Sequence, residues 1–193
     1  MSAPLTRHAA NAVTVLRMAL TPAFVWGVVW AQGGGSGWPA AAVFAVAALS
    51  DVLDGRVARR LGAESAGGRV LDHAADIVFI LAALGLYTGL GLAPWWVPAS
   101  VAAAFAVYVL DSLRRSGAQP ALIGSRIGHI GGVCNYALIG VLVGNDTVGL
   151  GWLPPWGTRI LFALVPIYSA ASIATRVLSG RRRQRSRGVP PAP

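Results

Sequence analysis

The chain has 193 residues, of which 55% are hydrophobic and only 12% charged, about half the charged share of a soluble domain. Its mean hydropathy is +0.60, and several apolar runs approach the roughly 20 residues that cross a bilayer as a helix, so a soluble globular domain is excluded. The formal net charge is +9, and all 16 lysine-or-arginine positions hold arginine. No soluble domain remains to bind nucleic acid, so the excess belongs to cytoplasmic loops and anionic headgroups.

The first expected helix covers 11–31 and opens NAVTVLRMALTP. Arg17 interrupts its apolar run, which argues against a secretory signal peptide. The breaker-rich QGGGSGWP leads to a second helix over 38–61, and the short GAESAG to a third over 67–91. GLGLAP precedes the fourth, over 94–114. RRSGAQPALIGS precedes the fifth, over 126–145, and GNDTVGLGWLPPWG the sixth, over 156–178. Glycine and proline clusters of this kind end helices. The expected architecture is all-α, a polytopic membrane domain of six transmembrane helices over 1–179. A basic, Pro-containing tail follows over 180–193, GRRRQRSRGVPPAP, whose composition predicts disorder. The sole cysteine, Cys134, falls inside the fifth apolar run and is expected to pack as a small buried hydrophobe.

Charge predicts the orientation. Arg56, Arg59, Arg60 and Arg69 flank the connection between helices two and three. Arg114, Arg115 and Arg126 flank that between four and five, and five arginines from Arg181 to Arg187 fill the tail. The alternate connections carry only Arg159. Arginine collects on the cytoplasmic side, so both termini are expected there. Trp30, Trp38, Trp95, Trp96, Trp152 and Trp156 cluster at the opposite ends, as an interfacial aromatic belt does. A multi-pass protein of a bacterial cell membrane is expected.

Residues 51–76, DVLDGRVARRLGAESAGGRVLDHAAD, hold four of the six aspartates and the only glutamate. Asp51 and Asp54 lie at i, i+3 near the end of helix two, and Asp72 and Asp76 at i, i+4 near the start of helix three. Each pair shares one helix face. A short connection makes the two helices antiparallel neighbours, so the pairs converge just inside the membrane. Carboxylates this close repel one another strongly unless something neutralises them. Divalent cations do so, and oxygen-only ligands suit Mg2+ or Mn2+, or Ca2+ on geometry alone. With no cysteine nearby and only His73 in the stretch, zinc is disfavoured. Mg2+ is usually held by one or two carboxylates plus substrate phosphates, which points to a phosphate or pyrophosphate substrate bridged by two metals. Gly55 and Gly68 permit close backbone approach, and Arg59 and Arg69 suit phosphate oxygens.

The spacing Asp51-x2-Asp54-Gly55-x2-Ala58-Arg59-x8-Gly68-x3-Asp72-x3-Asp76 resembles the signature of the CDP-alcohol phosphatidyltransferases, matching every fixed position and gap. The helix-one stretch Asn11, Thr14, Arg17 and Pro22 is similar to one that many members carry near the N-terminus. The resemblance implies transfer of a phosphatidyl group from a CDP-linked lipid, usually CDP-diacylglycerol, to an acceptor hydroxyl with release of CMP. It implies two divalent ions, Mg2+ or Mn2+, on Asp51, Asp54 and Asp72. Asp76 would be the general base and also touch a metal. Gly55, Arg59, Ser65, Thr14 and Arg17 would contact the CDP-lipid. A homodimer with its active site on the cytoplasmic side is implied as well.

The acceptor is read less directly. Glycerol 3-phosphate is the first expectation, with inositol phosphate and serine as alternatives. Members that use glycerol 3-phosphate typically carry Lys after the last aspartate and a Gly-Lys-x-Lys-Thr-like stretch before helix five. Here Ile77 and IGSRIGHIGGVCNY stand in those places. Arg126, Arg114, Arg115 and His129 are candidate acceptor ligands, and Tyr136 continues the polar stripe of Arg126 and His129 along helix five. Asp111 has Arg114 and Arg115 within one turn as ion-pair partners. Gly128-x3-Gly132 and Gly140-x3-Gly144 allow close helix contact, within the bundle or across a dimer. Asn145-Asp146-Thr147 fits a glycosylation pattern but reads as a turn. Two other classes compete: an Asp-rich membrane transferase of the prenyltransferase type, and a small transporter. A transporter predicts charges along a pathway through the bilayer, whereas here the acids sit on one side, Asp146 excepted.

Overall fold

A computed structural model describes the backbone of residues 3–61, 66–116 and 126–187, and the side chains of 15–50, 73–113 and 130–178. It is helical throughout the described elements: α1 (Ala3–Gln32), α2 (Trp38–Leu61), α3 (Ala66–Gly89), α4 (Trp96–Ser116), α5 (Arg126–Leu142) and α6 (Pro155–Arg187), with a π-helical turn over Val143–Thr147. The six expected helices are present. Two run longer than expected. α1 starts at Ala3, because Pro4 falls in the first turn, where no amide is needed. α6 continues to Arg187, so the basic half of the expected disordered tail is helical. Arginine and glutamine are good helix formers, and no proline interrupts before Pro190. Residues 188–193 lie outside the described residues.

Among the described residues three helices contain a stretch long and apolar enough to cross a membrane: Val15–Gln32, Trp96–Leu113 and Pro155–Leu178. The apolar stretches Trp38–Ser50 and His73–Gly89 are shorter, because α2 and α3 give their other halves to the acidic motif. A six-span reading therefore rests on hydropathy for three helices.

α3 lies at the centre. Phe79, Ile80, Ala83, Leu84 and Tyr87 on it are buried against Phe24 and Val28 of α1, Val97 and Val101 of α4, and Leu138, Ile139 and Leu142 of α5. α1 packs against both α2 and α3, and α6 packs on α4. Among the described residues it is α1, rather than α2, that runs along α3. The sequence reading of α2 and α3 as direct neighbours concerns their motif ends, whose side chains from 51 to 72 lie outside the described residues. Gly27 lets α1 approach α2: a Cβ there would sit 3.1 Å from the Ala40 backbone, so α1 and α2 touch main chain to main chain. Phe24 and Phe79 lie 5.3 Å apart, and Phe79 stacks on Tyr136 at 5.9 Å.

All seven tryptophans are exposed and sit at the end opposite the motif, as an interfacial belt requires. That end is closed by polar ties. Tyr87 and Thr147 share a buried hydrogen bond of 2.6 Å. The Asn145 amide donates to Leu153 O and accepts from Leu153 N, so the tripeptide read as a turn is an anchored π-helical one. Gly37 packs directly on the Thr147 carbonyl, with no room for a side chain. Gly37→Ala is therefore expected to cost about 1–3 kcal/mol through overpacking, seen as a lower melting temperature in detergent.

Burial holds the Asp146 carboxyl above the usual carboxylate range. A raised folded pKa means the folded chain keeps its proton longer than the unfolded chain. Stability is complete below the unfolded pKa and is lost as pH rises through the folded one. Asp146→Asn removes that loss. Its melting temperature is expected to exceed wild type at neutral pH, with the gain vanishing below about pH 4.

Cys134 is exposed, on one outer stripe of α5 with Ile130, Val133 and Ala137. This corrects the expectation of a buried thiol. In a membrane helix the outer face is apolar too, so an apolar run carries no inside-or-outside signal.

Candidate active site

The motif spans the end of α2 and the start of α3, separated by residues 62–65. The short gap places both halves at one end of the bundle. The side chains of Asp51, Asp54, Gly55, Arg59, Asp72, Thr14, Arg114, Arg115, Arg126 and His129, and the whole of Ser65, lie outside the described residues. The site is legible through Asp76.

Asp76 stands where α1, α3 and α5 meet. Its side chain is 23% exposed, and that of Arg17 is fully buried. Arg17 Nη1 lies 2.6 Å from Asp76 Oδ1. The Tyr136 hydroxyl donates to the same oxygen at 3.1 Å. The helix dictates this convergence. Asp76 is one turn before Phe79, so a ring stacked on Phe79 carries its hydroxyl to the carboxylate. Phe44 of α2 flanks the Tyr136 ring at 6.3 Å. The resemblance assigns Arg17 to the CDP-lipid; in this structure its guanidinium rests on the motif's last aspartate. An arginine inside an apolar helix needs a counter-charge at its own depth, and that signal was present in the sequence without naming the partner.

Two further polar ties position the bundle. The Tyr168 hydroxyl of α6 donates to Asn135 Oδ1, the residue beside Tyr136. Arg176 of α6 approaches Asp111 Oδ2 at 3.5 Å and lies 4.4 Å over the Tyr108 ring. The His73 ring lies 6.0 Å from the same tyrosine. The sequence reading named Arg114 and Arg115 for Asp111, and their side chains lie outside the described residues; Arg176 is a partner it did not name.

The donor set suits hard cations. Asp51, Asp54, Asp72 and Asp76 are all carboxylates, the ligand type of Mg2+ and Mn2+. Of these four only Asp76 has its side chain among the described residues. Asp76 Oδ1 receives two donors, from Arg17 and Tyr136.

The acidic motif thus has its last carboxylate held by a buried arginine. Residues 7–178 match the family model of CDP-alcohol phosphatidyltransferase, and the chain belongs to that family; it is an enzyme of this class. It is 31% identical over 163 residues to a Mycobacterium tuberculosis protein named "Putative cardiolipin synthase", covering 79% of this chain and 69% of the relative. It is 36% identical over 115 residues to the cardiolipin synthase (CMP-forming) of Streptomyces coelicolor, covering 57% and 53%. A CDP-diacylglycerol–glycerol-3-phosphate 3-phosphatidyltransferase of Cereibacter sphaeroides is 34% identical over 88 residues, covering 45% and 40%.

Proposed function

We propose that this chain transfers the phosphatidyl group of CDP-diacylglycerol to a glycerol hydroxyl of phosphatidylglycerol, forming cardiolipin and CMP. The observation that carries the reaction type is Asp76, half-buried at the motif with its carboxylate oriented by Arg17 and Tyr136. The acceptor oxygen bonds to the phosphorus that bears the diacylglycerol. The bond from that phosphorus to the oxygen it shares with CMP breaks, and CMP departs with that oxygen. The acceptor's proton passes to Asp76, which must come within about 3 Å of the hydroxyl. Gly55, Arg59, Ser65 and Thr14 contact the CDP group, and Arg114, Arg115, Arg126 and His129 face the acceptor phosphate. Two Mg2+ or Mn2+ ions on Asp51, Asp54 and Asp72, with Asp76 beside them, would supply charge neutralisation at the pyrophosphate.

Six spans, cytoplasmic termini and a homodimer in a bacterial cell membrane complete the reading. It leaves the acyl chains in lipid and CMP in water. The acceptor is supported by the relatives named for cardiolipin, which match over the larger shares of the chain, and by Ile77 in place of the lysine after the last aspartate. Glycerol 3-phosphate is the second reading, supported by the shorter match to the glycerol-3-phosphate enzyme. Both acceptors present a glycerol hydroxyl near a phosphate.

The test is CMP release by the purified full chain in detergent with CDP-diacylglycerol and Mg2+ or Mn2+. The acceptor panel holds phosphatidylglycerol, glycerol 3-phosphate, inositol phosphate, inositol, serine and choline. CMP with phosphatidylglycerol alone, together with a cardiolipin product, establishes the reading. CMP with glycerol 3-phosphate alone selects the second. Absence of CMP with every acceptor and both metals removes both.

A further inference from the structure

Tyr136 belongs to no part of the sequence motif, yet its hydroxyl reaches Asp76 across 60 positions of chain. We propose that Tyr136 is a positioning residue for phosphatidyl transfer, fixing the Asp76 carboxylate through Oδ1 and coupling its orientation to the placement of α5. The inference rests on the function proposed above and adds a residue to its machinery.

Three observations carry it. First, the tyrosine ring is itself held: it stacks on Phe79 with an interplanar angle of 10° and is flanked by Phe44. With its ring fixed between two neighbours, the hydroxyl has one direction to point. Second, Arg17 and Tyr136 address the same carboxylate oxygen from different helices, α1 and α5. One donor fixes a distance; two from different directions also fix the rotation of the carboxylate plane, which a base needs to meet an incoming hydroxyl. Third, α5 opens at Arg126, the first candidate for the acceptor. The helix expected to present the acceptor residues is thus the helix whose tyrosine holds the base. Asn135, the residue before Tyr136, receives the Tyr168 hydroxyl of α6, a tie between α5 and α6 that does not touch Asp76.

The test compares two hydroxyl deletions on the full chain in detergent. Tyr136→Phe keeps the stacked ring and removes the bond to Asp76. Tyr168→Phe removes a neighbouring α5 tie that does not touch Asp76. Tyr136→Phe is expected to lower kcat about 10- to 100-fold, with KM for both substrates within about twofold, the signature of a misoriented catalytic group. Tyr168→Phe is expected to hold kcat within about twofold. Unchanged kcat in Tyr136→Phe, or equal losses in the two variants, overturns the inference. A second readout needs no turnover: the melting temperatures of Tyr136→Phe, of Asp76→Ala, which removes the acceptor of the bond, and of the double variant. With the contact in place, the double variant melts close to the lower single variant; additive losses overturn it. A wild-type chain that releases no CMP defeats the proposed function instead, and the melting cycle still decides the contact.

Discussion

Arg17→Met is expected to be the most destabilising single substitution in the described bundle. The methionine fits the space, but Asp76 is then left as a charge without its buried counter-ion. Removing one partner of a buried pair costs about 3–5 kcal/mol. Asp76 retains 23% exposure, so the lower end of that range applies. The measurement is the melting temperature in detergent, read beside Arg17→Lys. Lysine restores charge but lacks the planar fork and is harder to desolvate, so only partial recovery is expected. Arg17→Met combined with Asp76→Leu should melt above either single variant, because replacing both charges by apolar groups removes the desolvation cost altogether. A double variant no more stable than its parents would mean that the 2.6 Å pair does not govern stability.

Asp76→Asn is expected to abolish most CMP release. Asparagine keeps the shape and can still accept from Arg17 and Tyr136, but it takes no proton from the acceptor. Loss of a general base typically costs 10²- to 10⁴-fold, and a fall of about 10³-fold in kcat is expected. CDP-diacylglycerol affinity should change little, because Asp76 acts on the acceptor. A separate binding measurement checks that half of the claim. Near-normal kcat would move the base role elsewhere in the motif, whereas parallel loss of donor binding would make Asp76 chiefly a metal ligand. The pair of experiments separates two roles that one carboxylate can hold.

Much of the molecule was readable from its residues. Glycine and proline clusters end helices through backbone geometry alone, so six elements and most of their ends followed directly. The spacing of Asp51, Asp54, Asp72 and Asp76 is a property of one local stretch, and the family match over residues 7–178 agrees with it. The tryptophans found their end of the bundle because depth in a bilayer is set by position along each helix.

What the chain could not announce is which helix faces which. Arg17, Asp76 and Tyr136 come from α1, α3 and α5, and their meeting depends on helix rotation and depth. Those are set by contacts such as Gly27 on Ala40 and Phe79 on Tyr136, which are distant in sequence. In a soluble protein hydrophobic periodicity would reveal the inner face. In lipid both faces are apolar, so Cys134 was placed inside and Arg176 was not named as a partner of Asp111. Composition and local spacing determined the class of enzyme, because metal and phosphate chemistry need particular residues at particular intervals. Only tertiary packing decided how the motif's last carboxylate is held, because a buried charge takes the partner that the neighbouring helices bring to its depth.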